Sequence, residues 1–236
     1  MTTGNIPQCI IDKYRYINVE SEFWFECIWD DFKTRMASDT FGIFRCLSVS
    51  YPMWTGFYIQ GSGASFEFCG EIEPEEGVDL DAFLDMLHTI SGSPLTDGDK
   101  TAILAGLKTR LFTLSVVPRR VGGSNYYHEH SVSHSVEFNY MYYVEQEEVV
   151  SAMPLNLLAA LRLHDEYLKQ YENGSWNYAG MDRFNEAFNI WARSMMKDFF
   201  KELEAEYERL TSDEAVAEAV EESRLYNPDE DVIEEE

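Results

Sequence analysis

The sequence predicts an α+β fold, a mostly antiparallel β-sheet packed by an N-terminal helix and a long C-terminal helical region. Three observations carry this. Residues 41–148 hold the short β-prone runs, apolar residues recur at helical spacing in 20–36 and across 154–224, and the link through Gly61 is too short for a parallel crossover. With 236 residues, 45% hydrophobic and 14% aromatic, the chain can bury a core without disulfide or metal staples. It reads as one domain over residues 1–225, followed by an acidic disordered tail at 226–236.

In residues 20–36, Phe25, Ile28, Trp29, Phe32 and Met36 fall on one helical stripe widened by Trp24 and Cys27, which predicts a largely buried helix. From Phe41 to about Glu73 the texture turns β-prone. Breaks at Gly56 and at Gly61-Ser62-Gly63 divide it into strands near 42–49, 53–60 and 65–72. Leu80, Phe83, Leu84 and Leu87 restore the 3.6-residue period, 99–109 holds a second short helix, and Leu111–Val117 is a further strand.

Residues 126–143 alternate most regularly. Even positions read His128, His130, Val132, His134, Val136, Phe138, Tyr140 and Tyr142, whereas the odd positions from Glu129 to Asn139 are polar. A long strand, or a strand pair, with one wet face is expected.

Helices dominate after Met153. Pro154 suits a first helical turn, and Leu155, Leu158, Leu161, Leu168 and Tyr171 follow before Asn173-Gly174 stops the segment. The next helix is marked by Phe184, Phe188, Trp191, Met195, Phe199, Leu203, Tyr207 and Leu210, at a mean spacing of about 3.7 residues over roughly 40 Å. Thr211-Ser212-Asp213-Glu214 fits a capping box with Thr211 on an orphan amide and Glu214 reaching back, opening a third helix to about Arg224. Asn227-Pro228 ends it.

The chain carries 43 acids against 18 bases, a net charge of −25. That field disfavours direct contact with nucleic acid or an anionic membrane and favours a basic partner. Residues 202–236 hold 15 acids and 2 bases, so about half of the excess lies in the last 35 residues. Like charges four apart, such as Glu202/Glu206, Glu204/Glu208, Glu214/Glu218 and Glu218/Glu222, each oppose helix formation by about 0.2–0.5 kcal/mol. One reading is a charged rod imitating a row of DNA phosphates in a basic groove. The other is a solubilising surface, since Asp213 and Glu214 suit a helix N-terminus in any case.

Cys9, Cys27, Cys46 and Cys69 are widely spaced with no CxxC pair, which fits reduced thiols in a cytosol. No signal peptide and no 18-residue apolar segment is found.

His128, His130 and His134, with Glu129 and Glu137, form the metal-like cluster, because an HxH on a strand projects both imidazoles to one side. That side also carries Val132, Val136 and Phe138, which favours structural histidines. His128, His130 and Glu137 thus stay weak metal candidates, and no metal or cofactor is expected. Gly61-Ser62-Gly63 precedes strand-like Phe66-Glu67-Phe68 rather than a helix, which marks a hairpin or bulge and not a phosphate loop. Gln60 and Ala64 also break a GxSxG elbow around Ser62. Glu71, Glu73, Glu75 and Glu76 are too numerous to single out an acid/base pair. Arg119-Arg120 reads as a turn flank.

Three stretches together, WTGFYIQGSGASFEFCGEI (54–72), YYHEHSVSHSVEF (126–138) and LEAEYERLTSDEAVAEAVEES (203–223), resemble a family of uncharacterised tailed-phage and prophage proteins. That family's pattern is roughly SGF-x-SQGDGASF-x-G, then a Tyr-x-His-Glu strand, then an LEAEYEYLTSDEA helix, and Trp24 with WDDFK (29–33) also fits. The chain departs from it at Ser62, where the family tends to Asp, and in the extra His134 segment. The resemblance implies a mobile-element origin and the host cytoplasm but no mechanism. Some members carry antitoxin-like labels.

The expectation is a non-enzymatic acidic binding protein that inhibits a host nucleic-acid-binding or anti-phage defence protein, by DNA mimicry in its most specific form. Glu202, Glu204, Glu206, Glu208, Asp213, Glu214, Glu218, Glu221 and Glu222 would make the contact. Two alternatives stay open: a metal-dependent or carboxylate enzyme using the His128/His130 strand, and an antitoxin-type partner protein.

Overall fold

The computed structural model describes residues 6–21, 23–39, 41–58, 61–108, 110, 112–121, 127–140 and 179–226. In chain order the elements are α1 (Gln8–Lys13), a 3₁₀ turn (Ile17–Val19), α2 (Phe23–Asp39), a second 3₁₀ turn (Ile43–Arg45), β1 (Leu47–Thr55) and β2 (Gly63–Ile72). They continue with α3 (Leu80–Thr89), α4 (Asp97–Lys108), β3 (Phe112–Arg120), β4 (Val132–Tyr140), α5 (Ala179–Leu210) and α6 (Asp213–Glu222). The fold is α+β, as predicted. Within the span read from sequence as one domain, the chain forms two compact units, residues 33–198 and residues 1–32 with 199–236. The helix predicted from Pro154 and the tail from Asn227 lie outside the described residues.

The larger unit is built on the described sheet, whose strands are antiparallel in the order β1-β2-β3-β4. The two strands predicted at 42–49 and 53–60 are instead one 3₁₀ turn and one strand. Gly42 enters the turn at φ +79°, where a Cβ would stand 2.1 Å from the Gly77 carbonyl oxygen, so only glycine fits. The pairing of β1 with β2 slips between Ser50 and Met53. Pro52 lies within that slip and has no N–H to give the ladder. β3 extends through Arg119 and Arg120, which the sequence reading had put in a turn; Arg120 Nε reaches Glu67 Oε1 at 2.9 Å.

One sheet face is dry. Phe66, Phe68, Ile72, Leu114, Val116, Val132 and Val136 are buried, whereas Glu71, Val117 and Glu137 are exposed on the other face. The predicted alternation of 132–137 therefore holds. The buried face meets α5 through aromatic rings: Phe68 stacks on Trp191 at 5.1 Å, Phe188 lies edge-on to Trp191 at 5.2 Å, and Phe83 of α3 adds 5.6 Å. Completely burying a phenylalanine contributes about 1.5–3 kcal/mol, so this cluster is a principal stabiliser of the unit.

α4 is fixed to α5 by a buried ion pair. Thr96 and Asp99 form a reciprocal cap: Thr96 Oγ1 accepts from the Asp99 N–H at 3.2 Å, and Asp99 Oδ2 accepts from the Thr96 N–H at 3.0 Å. Arg183 then clamps the same carboxylate with both fork positions, at 2.7 and 2.6 Å.

In the smaller unit α6 lays Val216 and Val220 against Ile11 of α1, and all three are buried. The chain before α2 also caps the end of α5. Asn18 Nδ2 donates to the carbonyls of Leu210 (3.0 Å) and Ala215 (3.2 Å), and Arg15 donates to that of Thr211 at 3.2 Å and to Asp213. The Leu210 carbonyl, in the last turn of α5, is among the ones a helix end leaves without partners, whereas that of Ala215 lies in the first turn of α6. Trp29 and Phe32 of α2 close on Phe199 at 5.1 and 5.0 Å. α2 is less buried than predicted, since Cys27 is exposed and Phe25 and Ile28 are half-buried. Among the described residues, no helix is long and apolar enough to cross a membrane.

Candidate functional site

α6 begins one residue later than the predicted capping box implies. Ser212, not Thr211, is the cap and accepts from the Ala215 N–H at 3.3 Å, while the Thr211 hydroxyl donates back to the Tyr207 carbonyl at 2.8 Å. Thr211, the residue directly after α5, is drawn into closing that helix, so the next hydroxyl takes the cap.

With this start, Val216 and Val220 face inward and Glu214, Glu218, Glu221 and Glu222 are exposed on the opposite side. Their spacing of 4, 3 and 1 residues is that of a single helical face, about 12 Å long at 1.5 Å per residue. Of the other predicted acids, Asp213 is exposed and bonded to Arg15. Glu206 is paired with Arg209 through two bonds of 2.7 and 2.6 Å, and the guanidinium holds its carboxyl below the usual range. Glu202 and Glu206, one turn apart, lie to one side of buried Leu203, and Glu204 and Glu208 lie to the other. The predicted set of nine is therefore a row of four on α6 and two separate pairs on α5, with Asp213 spent on Arg15.

The predicted histidine strand is corrected at its first half. His128, Glu129 and His130 form a turn rather than a strand, closed by the Ser131 N–H to the His128 carbonyl at 2.8 Å. The His130 N–H donates to His128 Nδ1 at 3.1 Å, and Glu129 lies 3.5 Å from Lys197 Nζ. Glu137 is on the exposed strand face, 4.0 Å from Arg119. His134, on β4, is buried. Among the described residues, no group of three or more His, Cys, Asp or Glu side chains is placed to hold a metal ion. The Gly61-Ser62-Gly63 run is a hairpin connection, and its packing is specific: a Cβ on Gly63 would meet His128 Cβ at 2.6 Å, and Thr55 Oγ1 donates near both the Gly61 and Tyr127 carbonyls. The first two stretches that carry the family resemblance thus pack on one another.

Sequence reasoning missed a second feature, on β4. Pro118, which has no N–H, stands opposite His134, and the Val121 N–H bonds to the Ser131 carbonyl just outside the pair. The parity this sets turns the backbone groups of His134 and Val136 away from β3. Asn189 of α5 meets them as a strand would: its Oδ1 accepts from the His134 N–H at 2.7 Å and its Nδ2 donates to the His134 carbonyl at 2.8 Å. Asn185 Oδ1 accepts from the Val136 N–H at 3.3 Å. Two asparagines one turn apart, set among Phe184, Phe188 and Trp191, were the available signal for polar work inside an apolar stripe.

The fold and this surface define an acidic α+β protein that displays part of its charge on a short C-terminal helix. The chain belongs to the DUF8835 family, a domain of unknown function, whose model matches residues 24–213. No curated protein and no solved structure matches it. The matched span contains the whole described sheet and the Asn185/Asn189 face, and it ends at Asp213, before the α6 row.

Proposed function

We propose that this protein acts by binding, presenting the acidic face of α6 to a cationic groove on a partner, and that the partner is a host nucleic-acid-binding or anti-phage defence protein which it inhibits. The observation that carries the reading is the row Glu214, Glu218, Glu221 and Glu222, exposed on a helix whose opposite side is anchored by Val216 and Val220. An anchored row offers charge at fixed spacing, which an acidic tail does not. The net charge of −25 supports long-range attraction to a basic surface, and the likeness to tailed-phage proteins supports a partner from the host cell.

The test is capture of a partner from host lysate on the immobilised full chain at about 50 and about 200 mM salt, with duplex DNA as competitor. Capture should fall steeply with salt, be displaced by DNA, and be lost when the four α6 glutamates are changed to glutamine. A partner held equally by that variant, or indifferent to salt, refutes the reading.

A further inference from the structure

The face of the sheet turned away from α5 carries three cross-strand rows of side chains. In the first, Glu71 of β2 stands opposite Ser115 of β3, and Ser115 opposite Glu137 of β4. Two residues along each strand, the second row holds Cys69, opposite Ser48 of β1, and Val117, opposite Ser135 of β4. The third holds Glu67, opposite Ser50, and Arg119, opposite Ser133.

An antiparallel sheet often faces water on one side, so exposure alone carries nothing. Three features set this face apart. It is nearly neutral in a chain of net charge −25, because Arg119 and Arg120 stand against Glu67, Glu71 and Glu137, and Arg120 already holds Glu67 at 2.9 Å. Its middle row is uncharged, with Cys69 exposed and Val117 40% exposed beside small serines. Its remaining charges are poorly matched within the chain. The Arg119 guanidinium approaches Glu137 only to 4.0 Å, too far for a hydrogen bond, and Glu71 is exposed with no ion pair among the described residues.

We propose that two copies of this chain pair through this face, sheet against sheet, about a two-fold axis that crosses the strands through Cys69 and Val117. Rotation about that axis lays each strand antiparallel on its counterpart, so the first row of one copy meets the third row of the other. Arg119 then lands over the partner subunit's Ser115, whose small side chain leaves room for a guanidinium between two carboxylates about 4.8 Å to either side. The contact is made twice, once from each copy. An axis along the strands would instead set the first row on itself, glutamates against glutamates, so charge selects the crossing axis. Chains that repel one another elsewhere can approach where charge cancels. Four strands make a contact at the small end of specific interfaces, which fits a reversible dimer. The face lies in the larger unit and uses none of the α6 carboxylates, so failure of either reading leaves the other intact.

The experiment is sedimentation velocity on the full chain from about 5 to about 200 µM in about 150 mM salt, where the general repulsion is screened. The parent should pass from monomer to dimer over that range. Arg119→Glu should weaken pairing at least about tenfold, and so should the double variant Glu71→Arg/Glu137→Arg. An equimolar mixture of the two should restore it, because both contacts then join opposite charges again. A short bismaleimide should link the dimer through Cys69, which the axis brings face to face with its copy; Cys69→Ser should abolish the link, whereas Cys9→Ser and Cys27→Ser should not. A chain still monomeric at about 200 µM, a dimer indifferent to Arg119→Glu, a mixture no more associated than its components, or a link that survives Cys69→Ser overturns the proposal.

Discussion

Replacing Arg183 by methionine tests how the α4 and α5 helices are held in the larger unit. Asp99 is 2% exposed and Arg183 35% exposed, and the carboxylate accepts two bonds from Arg183 and two from Thr96. Removing the guanidinium leaves a buried carboxylate without its bidentate cationic partner, a change that costs about 3 kcal/mol when one partner of a buried pair is lost. The pH dependence gives a second reading. Burial by itself raises the Asp99 pKa, but the Arg183 and Thr96 hydrogen bonds outweigh it and hold the group at about 2, against 3.8 unperturbed. A carboxyl whose pKa is lowered by folding contributes stability that is fully present above pH 4 and lost as the pH falls through about 2. The gap corresponds to at most about 2 kcal/mol, because water reaches the exposed third of Arg183 and screens the pair. In Arg183→Met the burial remains and the compensation is reduced, so protonation relieves the variant. Urea unfolding followed by far-ultraviolet circular dichroism at pH 7 and near pH 3 should show the deficit of the variant shrinking in acid. A deficit under about 1 kcal/mol at pH 7, or one equal at both pH values, would show that the pair does not fasten these helices.

Asn189→Leu should cost about 2–5 kcal/mol, since it strips the partners from an N–H and a carbonyl of β4, and it should make the chain self-associate at high concentration as the strand edge is bared; denaturant midpoints and light scattering report the two effects. Gly63→Ala, with its Cβ 2.6 Å from His128 Cβ, should cost about 1–3 kcal/mol by overpacking and shift the amide resonances of 127–131 in an NMR spectrum. Ile11→Ser should expose Val216 and Val220 and increase hydrogen exchange across 213–222 while leaving the amides of β2 and β3 protected.

The parts legible in the sequence were those whose signal is local. The 3.6-residue recurrence from Phe184 to Leu210 predicted α5, and the alternation of Val132, His134 and Val136 with serines predicted the dry face of β4, because burial on one side imposes its period on the residues themselves. The same alternation misled at His128 and His130. They continue the even series, but a turn closed by Ser131 places them, and a period of two over three residues is too short to tell a turn from a strand. Pairings far apart in sequence left no trace at all. Asp99 and Arg183 are 84 residues apart, and Asn189 reaches His134 across 55. An asparagine that imitates a strand is recognisable only once the strand edge it serves is known.

The α6 row is better understood as a consequence of packing than as a property of the tail. Glu214/Glu218 and Glu218/Glu222 each oppose the helix by about 0.2–0.5 kcal/mol, a total near 1 kcal/mol at most. Against this, Val216 and Val220 are fully buried, at about 1.5–3 kcal/mol each before ordering costs, and the Ser212 cap adds about 1 kcal/mol. Asp213, bonded to Arg15 at the first turn, adds a favourable charge at the positive helix end. The apolar anchor therefore exceeds the repulsion severalfold, which permits four carboxylates on one face without melting the helix. The same comparison explains why the α5 acids are arranged differently. There Leu203 is buried between the two pairs, so the helix must keep its inward side apolar and can show acids only on the flanks. A continuous acidic face arises where a short helix is held from one side alone, and in the smaller unit α6 meets that condition.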